Sequence, residues 1–209
     1  MQSEETTSTR AATTGRVNQK RRTRAAILHA AAELMRTGRE VTMPEVAHNA
    51  LVSEATAYRY FPDLATLLAE AMAGQWPTPR QALESVAEST DPAERVAAAT
   101  EHLLRHVLTF QGAVRAMIAA TVIRPETAAL RPGLRFGLID HALAPVAGTL
   151  DPAVLRQLKN DLAVVVSAEA LFSLTDLCRL QPEAAIASVV HTATTLTRAA
   201  VPKETSDDL

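Results

Sequence analysis

The twenty residues Thr42 to Phe61, TMPEVAHNALVSEATAYRYF, decide how the rest of the chain is read. They spell two short helices joined by a tight turn. Thr42 is a helix N-cap, Pro44 stands in the first turn where a missing N–H costs nothing, and Glu45 favours the positive helix end. The first helix is therefore predicted from about Met43 to Ala50. Its Val46, Ala47 and Ala50 share a face, and two of the three are alanines, so a second backbone can approach closely. Ser53 is a second N-cap and Glu54 fills the next first turn. The second helix runs to Tyr60 and stops at Pro62. In a helix-turn-helix, the second helix lies in the major groove with its N-terminal residues near base edges.

Outward from this pair, the preceding segment supplies a third helix and a local basic patch. Ile27, Ala30, Ala31 and Leu34 recur at helical spacing, and Gly38 is a C-cap. Between Arg16 and Arg39 stand Arg16, Lys20, Arg21, Arg22, Arg24, Arg36 and Arg39 against a single acid, Glu33. The bland reading is a solvated helix face. Beside a helix-turn-helix, phosphate binding is the better one, because cations near a duplex gain from counterion release whatever its sequence. The whole chain has a net charge of -2, so basic character is confined to this arm.

Composition excludes several classes. The 209 residues are 47% hydrophobic but only 3% aromatic, poor in Gly and rich in Ala and Leu, which predicts an all-α fold. One cysteine leaves no internal disulfide framework and fits a reducing, cytoplasmic setting. Neither a signal peptide nor an apolar run long enough to span a membrane is visible. Residues 1–18, polar and small, read as a disordered tail. Residues 19–63 form the helix-turn-helix domain, 64–202 a larger helical domain, to which the family resemblance given next assigns effector binding and dimerisation, and 203–209 a second tail.

The basic arm, the Ala-rich helix, Gly38, T-M-P-E-V-A and V-S-E-A-T-A-Y-R-Y-F-P-D-L-A-T-L-L together resemble the DNA-binding domain of the TetR family of transcriptional regulators, over roughly residues 20 to 70. The resemblance implies a homodimer that binds a pseudo-palindromic double-stranded DNA operator, most often as a repressor. It also implies a C-terminal all-helical domain that binds a small molecule and changes the spacing of two DNA-reading heads. The sequence departs from the family pattern at three places: Leu51 where the family has a turn glycine, Tyr60 where it often has His, and Leu64 where it has a phosphate-contacting Lys. Leucine in a positive-φ turn costs of order 1 kcal/mol. The other two changes remove cationic character, which shifts phosphate contact towards the Arg-rich arm.

Chemistry then assigns roles in the reader. Arg21, Arg22, Arg24 and Arg59 are the cationic DNA-binding candidates; Thr42, Thr56, Tyr58 and Tyr60 offer hydroxyls to phosphates; Glu54 and Thr56 stand nearest the base edges, Glu54 as an acceptor from cytosine, and the cap Ser53 belongs to the same DNA-binding set. Phe61 is a core anchor, and Tyr58 is either an anchor or a contact.

Beyond Asp63, which caps a helix from Leu64 to Gly74, the chain is a series of helices punctuated by proline. Helices are expected at 92–110, 112–123, 134–147, 152–180 and 182 to just before Pro202, nine in all with the first four. The helix after Asp63 links the domains, and in the family its movement carries the ligand signal. Small and aliphatic stripes on the last two helices, Leu162, Val166 and Leu171, then Ile186, Val189, Val190, Ala193 and Leu196, fit either an intramolecular core or a dimer interface. The resemblance favours the dimer, in which two helices of each subunit form a four-helix bundle.

An effector pocket among the middle helices would be lined by Trp76, Leu103, His106, Phe110, Met117, Phe136 and Ile139, with Arg115, Asp140 and Asp176, besides Arg135, as polar anchors. Few aromatics and many aliphatics point to an apolar or amphipathic effector. His102 and His106 stand at i, i+4 as metal ligands can, yet H-L-L-R-H lacks the Glu of a zinc protease. No phosphate loop, Cys-x-x-Cys or Gly-x-Ser-x-Gly element occurs, so neither an enzyme nor a cofactor is expected; Cys178 reads as inert packing. The competing function is a small-molecule-binding or protein-interaction module whose DNA binding is weak or lost.

Overall fold

The computed structural model describes residues 3–73, 75–76, 78–125 and 133–201, with side chains from Val17 onward. Among them are eleven α-helices and no strand: α1 (Ser3–Met35), α2 (Met43–Asn49), α3 (Glu54–Tyr60), α4 (Leu64–Met72), α5 (Pro79–Ala82), α6 (Pro92–Thr109), α7 (Gln111–Ile123), α8 (Leu134–Ala142), α9 (Pro152–Val165), α10 (Ala168–Phe172) and α11 (Pro182–Ala200). The backbone of α1 is continuous from Ser3, so the stretch read as a disordered tail over 1–18 is helical where it is described. The tail expected at 203–209 lies outside the described residues.

The chain divides into two compact units. One comprises Met1–Gln75 and Phe110–Arg131, the other Trp76–Thr109 and Pro132–Leu209. The boundary expected at residue 63 therefore falls elsewhere: α4, and after a long excursion α7, belong with the first three helices. In the first unit α1 packs on α2 and α4, α2 on α3, and α4 on α7. Its core is Ile27, Met35, Val46, Phe61, Leu67, Leu68 and Met72, all essentially solvent-free. Phe61 is the anchor expected; a buried phenylalanine side chain contributes roughly 1.5–3 kcal/mol by leaving water.

In the second unit α6 and α11 form the central pair, flanked by α8, α9 and α10. The single long helix expected over 152–180 does not exist. It breaks at Val166–Ser167, where the Ser167 hydroxyl turns to cap α10 by accepting from the Ala170 N–H at 3.1 Å. A five-residue π-turn, Ser173–Leu177, then ends that segment. The helix expected over 134–147 is likewise shorter, closing at Ala142 before a 3-10 turn at Ala144–Val146.

Arg95 staples the second unit from inside. It is buried, and its guanidinium donates to the Val86, Ala87 and Ser89 carbonyls at 2.9, 3.3 and 3.3 Å and to those of His141 and Ala142 at 2.9 and 3.1 Å. No carboxylate is needed, because five carbonyl dipoles at the ends of two helical segments satisfy the cation.

Candidate nucleic-acid interface

The two caps read from the sequence are built as expected. Thr42 closes a capping box: its Oγ1 accepts from the Glu45 N–H at 3.4 Å, and the Glu45 carboxylate accepts from the Thr42 N–H at 3.1 Å and its hydroxyl at 2.8 Å. Ser53 Oγ accepts from the Thr56 N–H at 3.2 Å, and the two hydroxyls are 2.9 Å apart. These bonds fix α2 and α3, and they alter the roles of the hydroxyls. Thr42 has given its only hydroxyl proton to Glu45, so it is not a phosphate donor in this arrangement. Ser53 and Thr56 share one hydrogen bond and keep one donor between them.

The tight turn between α2 and α3 holds Leu51 at φ 55° with its side chain 92% exposed. The expected positive φ is present, and leucine bears it by pointing into solvent. Ala50, Leu51 and Val52 close the turn with N–H bonds to the Val46, His48 and Ala47 carbonyls at 2.9, 3.1 and 3.0 Å.

Helix α3 buries Ala57 and is followed by buried Phe61. Opposite them, Glu54, Ala55, Tyr58 and Arg59 are exposed, at positions i, i+1, i+4 and i+5 of one helix face. Tyr58 is 49% exposed, which settles its alternative roles in favour of a surface group. Arg59 lies 5.7 Å from the ring centroid of Tyr60, which is itself partly covered. Ala55 is the member of this face that sequence reasoning missed; a residue without polar atoms carries no signal until its exposure is known.

The basic arm divides. Arg21 and Arg22 are exposed on α1. Arg24 is not available in the same way, since both its Nη atoms donate to the Glu70 carboxylate of α4 and its guanidinium lies 4.9 Å over the Phe61 ring. The carboxylate raises the Arg24 pKa further above its ordinary value. Arg36 is engaged by Glu33 and by Gln75, the latter at 3.2 Å. Arg24 therefore ties α1 to α4.

Residues 27–71, which span this three-helix reader and α4, match the family profile described as bacterial regulatory proteins, tetR family. The chain carries the DNA-binding domain of the TetR family of transcriptional regulators. The whole fold agrees with that of a TetR transcriptional regulator from Rhodococcus sp. RHA1, with a TM-score of 0.53 and 24% identity over 85% of this chain and 97% of that one. No curated protein matches the sequence. The matched segment contains both capped helices and the turn at Leu51.

Of the residues expected to line an effector pocket, Trp76 and Leu103 share one cavity and His106 stands beside Trp76. In the second unit, Trp76, Pro79, His102, Leu103, Leu134 and Leu138 surround a cavity of about 20 Å³. The His106 ring stands 4.2 Å from Trp76 and 6.2 Å from His102. Burial holds the His102 imidazole below its ordinary pKa. Of the remaining candidates, Phe110, Arg115 and Met117 lie in the first unit, and Ile139 is core. Phe136 is exposed and sits 5.1 Å beneath Arg135, Asp140 is exposed and pairs with Lys159 at 2.8 Å, and Asp176 is exposed on the π-turn. A wider cleft of about 600 Å³, which sequence reasoning did not anticipate, is lined by Asp91, Pro145, Thr149 and Arg198 among others.

The proposed dimer stripe is consumed internally. Leu162, Val166, Leu171, Ile186, Val189 and Ala193 are covered by the chain's own atoms, leaving Val190 and Leu196 partly exposed. Among the described residues there is no cluster of His, Cys, Asp or Glu that could hold a metal. Cys178, expected to be packed, is exposed. Among the described residues no single helix is long and apolar enough to cross a membrane.

Proposed function

We propose that the protein is a homodimeric, cytoplasmic repressor of transcription that grips a pseudo-palindromic operator and is released by a small apolar or amphipathic ligand, without a cofactor and without enzymatic activity. The observation that carries the DNA-reading part is the exposed face of α3. Glu54 and Ala55 stand at its N-terminal end, where they can meet a cytosine amino group and a thymine methyl, while Tyr58, Arg59, Arg21 and Arg22 meet phosphates. Two heads are needed because one contacts too few base pairs for useful selectivity. Since the aliphatic stripes of α9 to α11 are spent inside the chain, pairing would use their outer surfaces, where Val164 is 74% exposed.

For the ligand, the small cavity around Trp76, Leu103 and His102 is the better site than the wider cleft, because its lining is chiefly apolar. At about 20 Å³ it must open to admit a molecule, as effector pockets hold roughly 300–1,000 Å³. A second reading, a binding module with lost DNA recognition, draws on Leu51, a strained and exposed apolar residue in the turn of the reader.

Selection from a random duplex library, followed by titration in increasing salt, separates the two. The regulator enriches a symmetric site and binds it with a steep salt dependence; recovery of no enriched sequence would leave only the binding module.

A further inference from the structure

Helix α7 sits far along the chain from the DNA reader, yet it is fastened to that unit at both ends. At its first turn, Gly112 is buried so closely against the turn after α1 that a Cβ there would stand 1.8 Å from the Arg39 carbonyl oxygen, 2.4 Å from its carbon and 2.9 Å from the Glu40 nitrogen. These neighbours are backbone atoms and cannot rotate away, so even a methyl group forces helix and turn apart by about an ångström or more. Beyond its last turn, Arg124 Nη2 donates to Asp63 Oδ2 at 3.3 Å, while Asp63 Oδ1 caps α4 by accepting from the Thr66 N–H at 2.8 Å. Between these ends, α7 packs on α4 and buries Ala113, Val114 and Met117.

The turn under Gly112 leads directly into the reader. Gly38 holds φ 68° and donates to the Met35 carbonyl at 3.1 Å, and Thr37 Oγ1 accepts from the Arg39 N–H at 3.3 Å. Val41 and Met43 are buried on either side of Thr42, the cap of α2. A displacement of Arg39 therefore has only Glu40 and Val41 in which to dissipate before it reaches the capping box at Thr42, and Val41 and Met43 on either side of that cap are anchored in the core. On the other side, only Phe110 separates α7 from α6, which contributes His102 and Leu103 to the cavity.

We propose that Gly112 is a positioning residue for DNA reading: α7 is a brace whose first turn, seated on the Arg39 carbonyl, fixes the turn that orients α2 and α3. Lifting the brace weakens operator binding without altering any side chain that faces DNA. This rests on the regulator function proposed above.

The test uses the full-length protein and the duplex enriched by the wild type. Gly112→Ala lowers affinity for that duplex by roughly tenfold at equal folded fraction, with helical content unchanged and with faster amide exchange over residues 41–50. Gly148→Ala, whose Cβ meets nothing within 4 Å, leaves affinity unchanged. Affinity unaltered in a folded Gly112→Ala variant overturns the inference. Should that variant not fold, Arg124→Gln decides from the other end of the helix: a several-fold loss of affinity supports the brace, and wild-type affinity overturns it. Failure of the wild type to enrich any sequence sinks the regulator reading and this one together, whereas enrichment with variant affinities unchanged sinks this one alone.

Discussion

Leu51 shows how a single residue can be strained without consequence for its neighbours. An L-residue at φ 55° pays roughly 1–2 kcal/mol for the crowding of its Cβ, and a side chain 92% in solvent recovers none of that by packing. Leu51→Gly relieves the strain but adds unfolded-state entropy, so a net stabilisation of about 0.5–1 kcal/mol is expected from chemical denaturation. The arginines of α1 differ among themselves in a way charge counting cannot show. Arg21→Ala combined with Arg22→Ala should flatten the slope of log K against log salt by about one unit per lost phosphate contact, whereas Arg24→Ala should act mainly on stability. An unchanged slope in the double variant removes these two arginines from the interface. His102 adds a pH dependence. Its folded pKa lies below the ordinary value of 6.5 because burial disfavours the cation, so the unfolded chain binds the proton more readily. Stability is then fully present above about pH 6.5 and declines below it. His102→Leu removes that acid-side loss, as thermal melts between pH 5 and 7 will register.

Among the elements, those with polar end signals were legible and those shaped by distant contacts were not. Thr42 with Glu45, Ser53 with Thr56, and Asp63 with Thr66 announce their helices within four residues, and each bond is made. The break at Val166 carries no glycine or proline. Its one local sign, Ser167 as an N-cap, is easily lost in an aliphatic run whose tertiary packing decides the geometry. The stripe from Ile186 to Ala193 was legible as a buried face, but periodicity cannot say whether the covering atoms belong to the same chain. The candidate DNA face was read largely from residue type, and it lost Thr42 and Arg24 to intramolecular partners and gained Ala55, since satisfaction and exposure are properties of the folded surroundings. Arg95 was silent in the sequence for the same reason. Its five acceptors come from segments up to 47 residues away, and Arg95→Met leaves them without their donor. A destabilisation of more than about 3 kcal/mol is expected in urea unfolding, and Arg95→Lys recovers only part of it because an ammonium cannot present the planar fork.

At the scale of the whole molecule, the division of labour does not follow the order of the chain. The first unit takes α7 back from beyond α6, so a cut of the sequence near residue 63 would strip α4 and α7 from the reader they pack against. For the proposed dimer, the buried stripe and the outer surface make opposite predictions. Leu162→Ala should cost about 2–5 kcal/mol of folding stability and leave the association constant of the folded protein alone. Val164→Asp should leave folding nearly unchanged and shift sedimentation towards the monomer. A Val164→Asp protein that sediments as the wild type places the pairing surface elsewhere.

The chain contains one tryptophan and two tyrosines, and they are distributed by task. Trp76 stands against His106 at the edge of the small cavity, and both tyrosines lie on α3. The indole and the two phenols thus belong to different units. Indole emission, excited at wavelengths the phenols do not absorb, reports on the surroundings of Trp76, while the phenol contribution comes wholly from α3. Under the proposed function, ligand entry can therefore be followed in the unlabelled protein by indole emission alone, with no contribution from the tyrosines of α3.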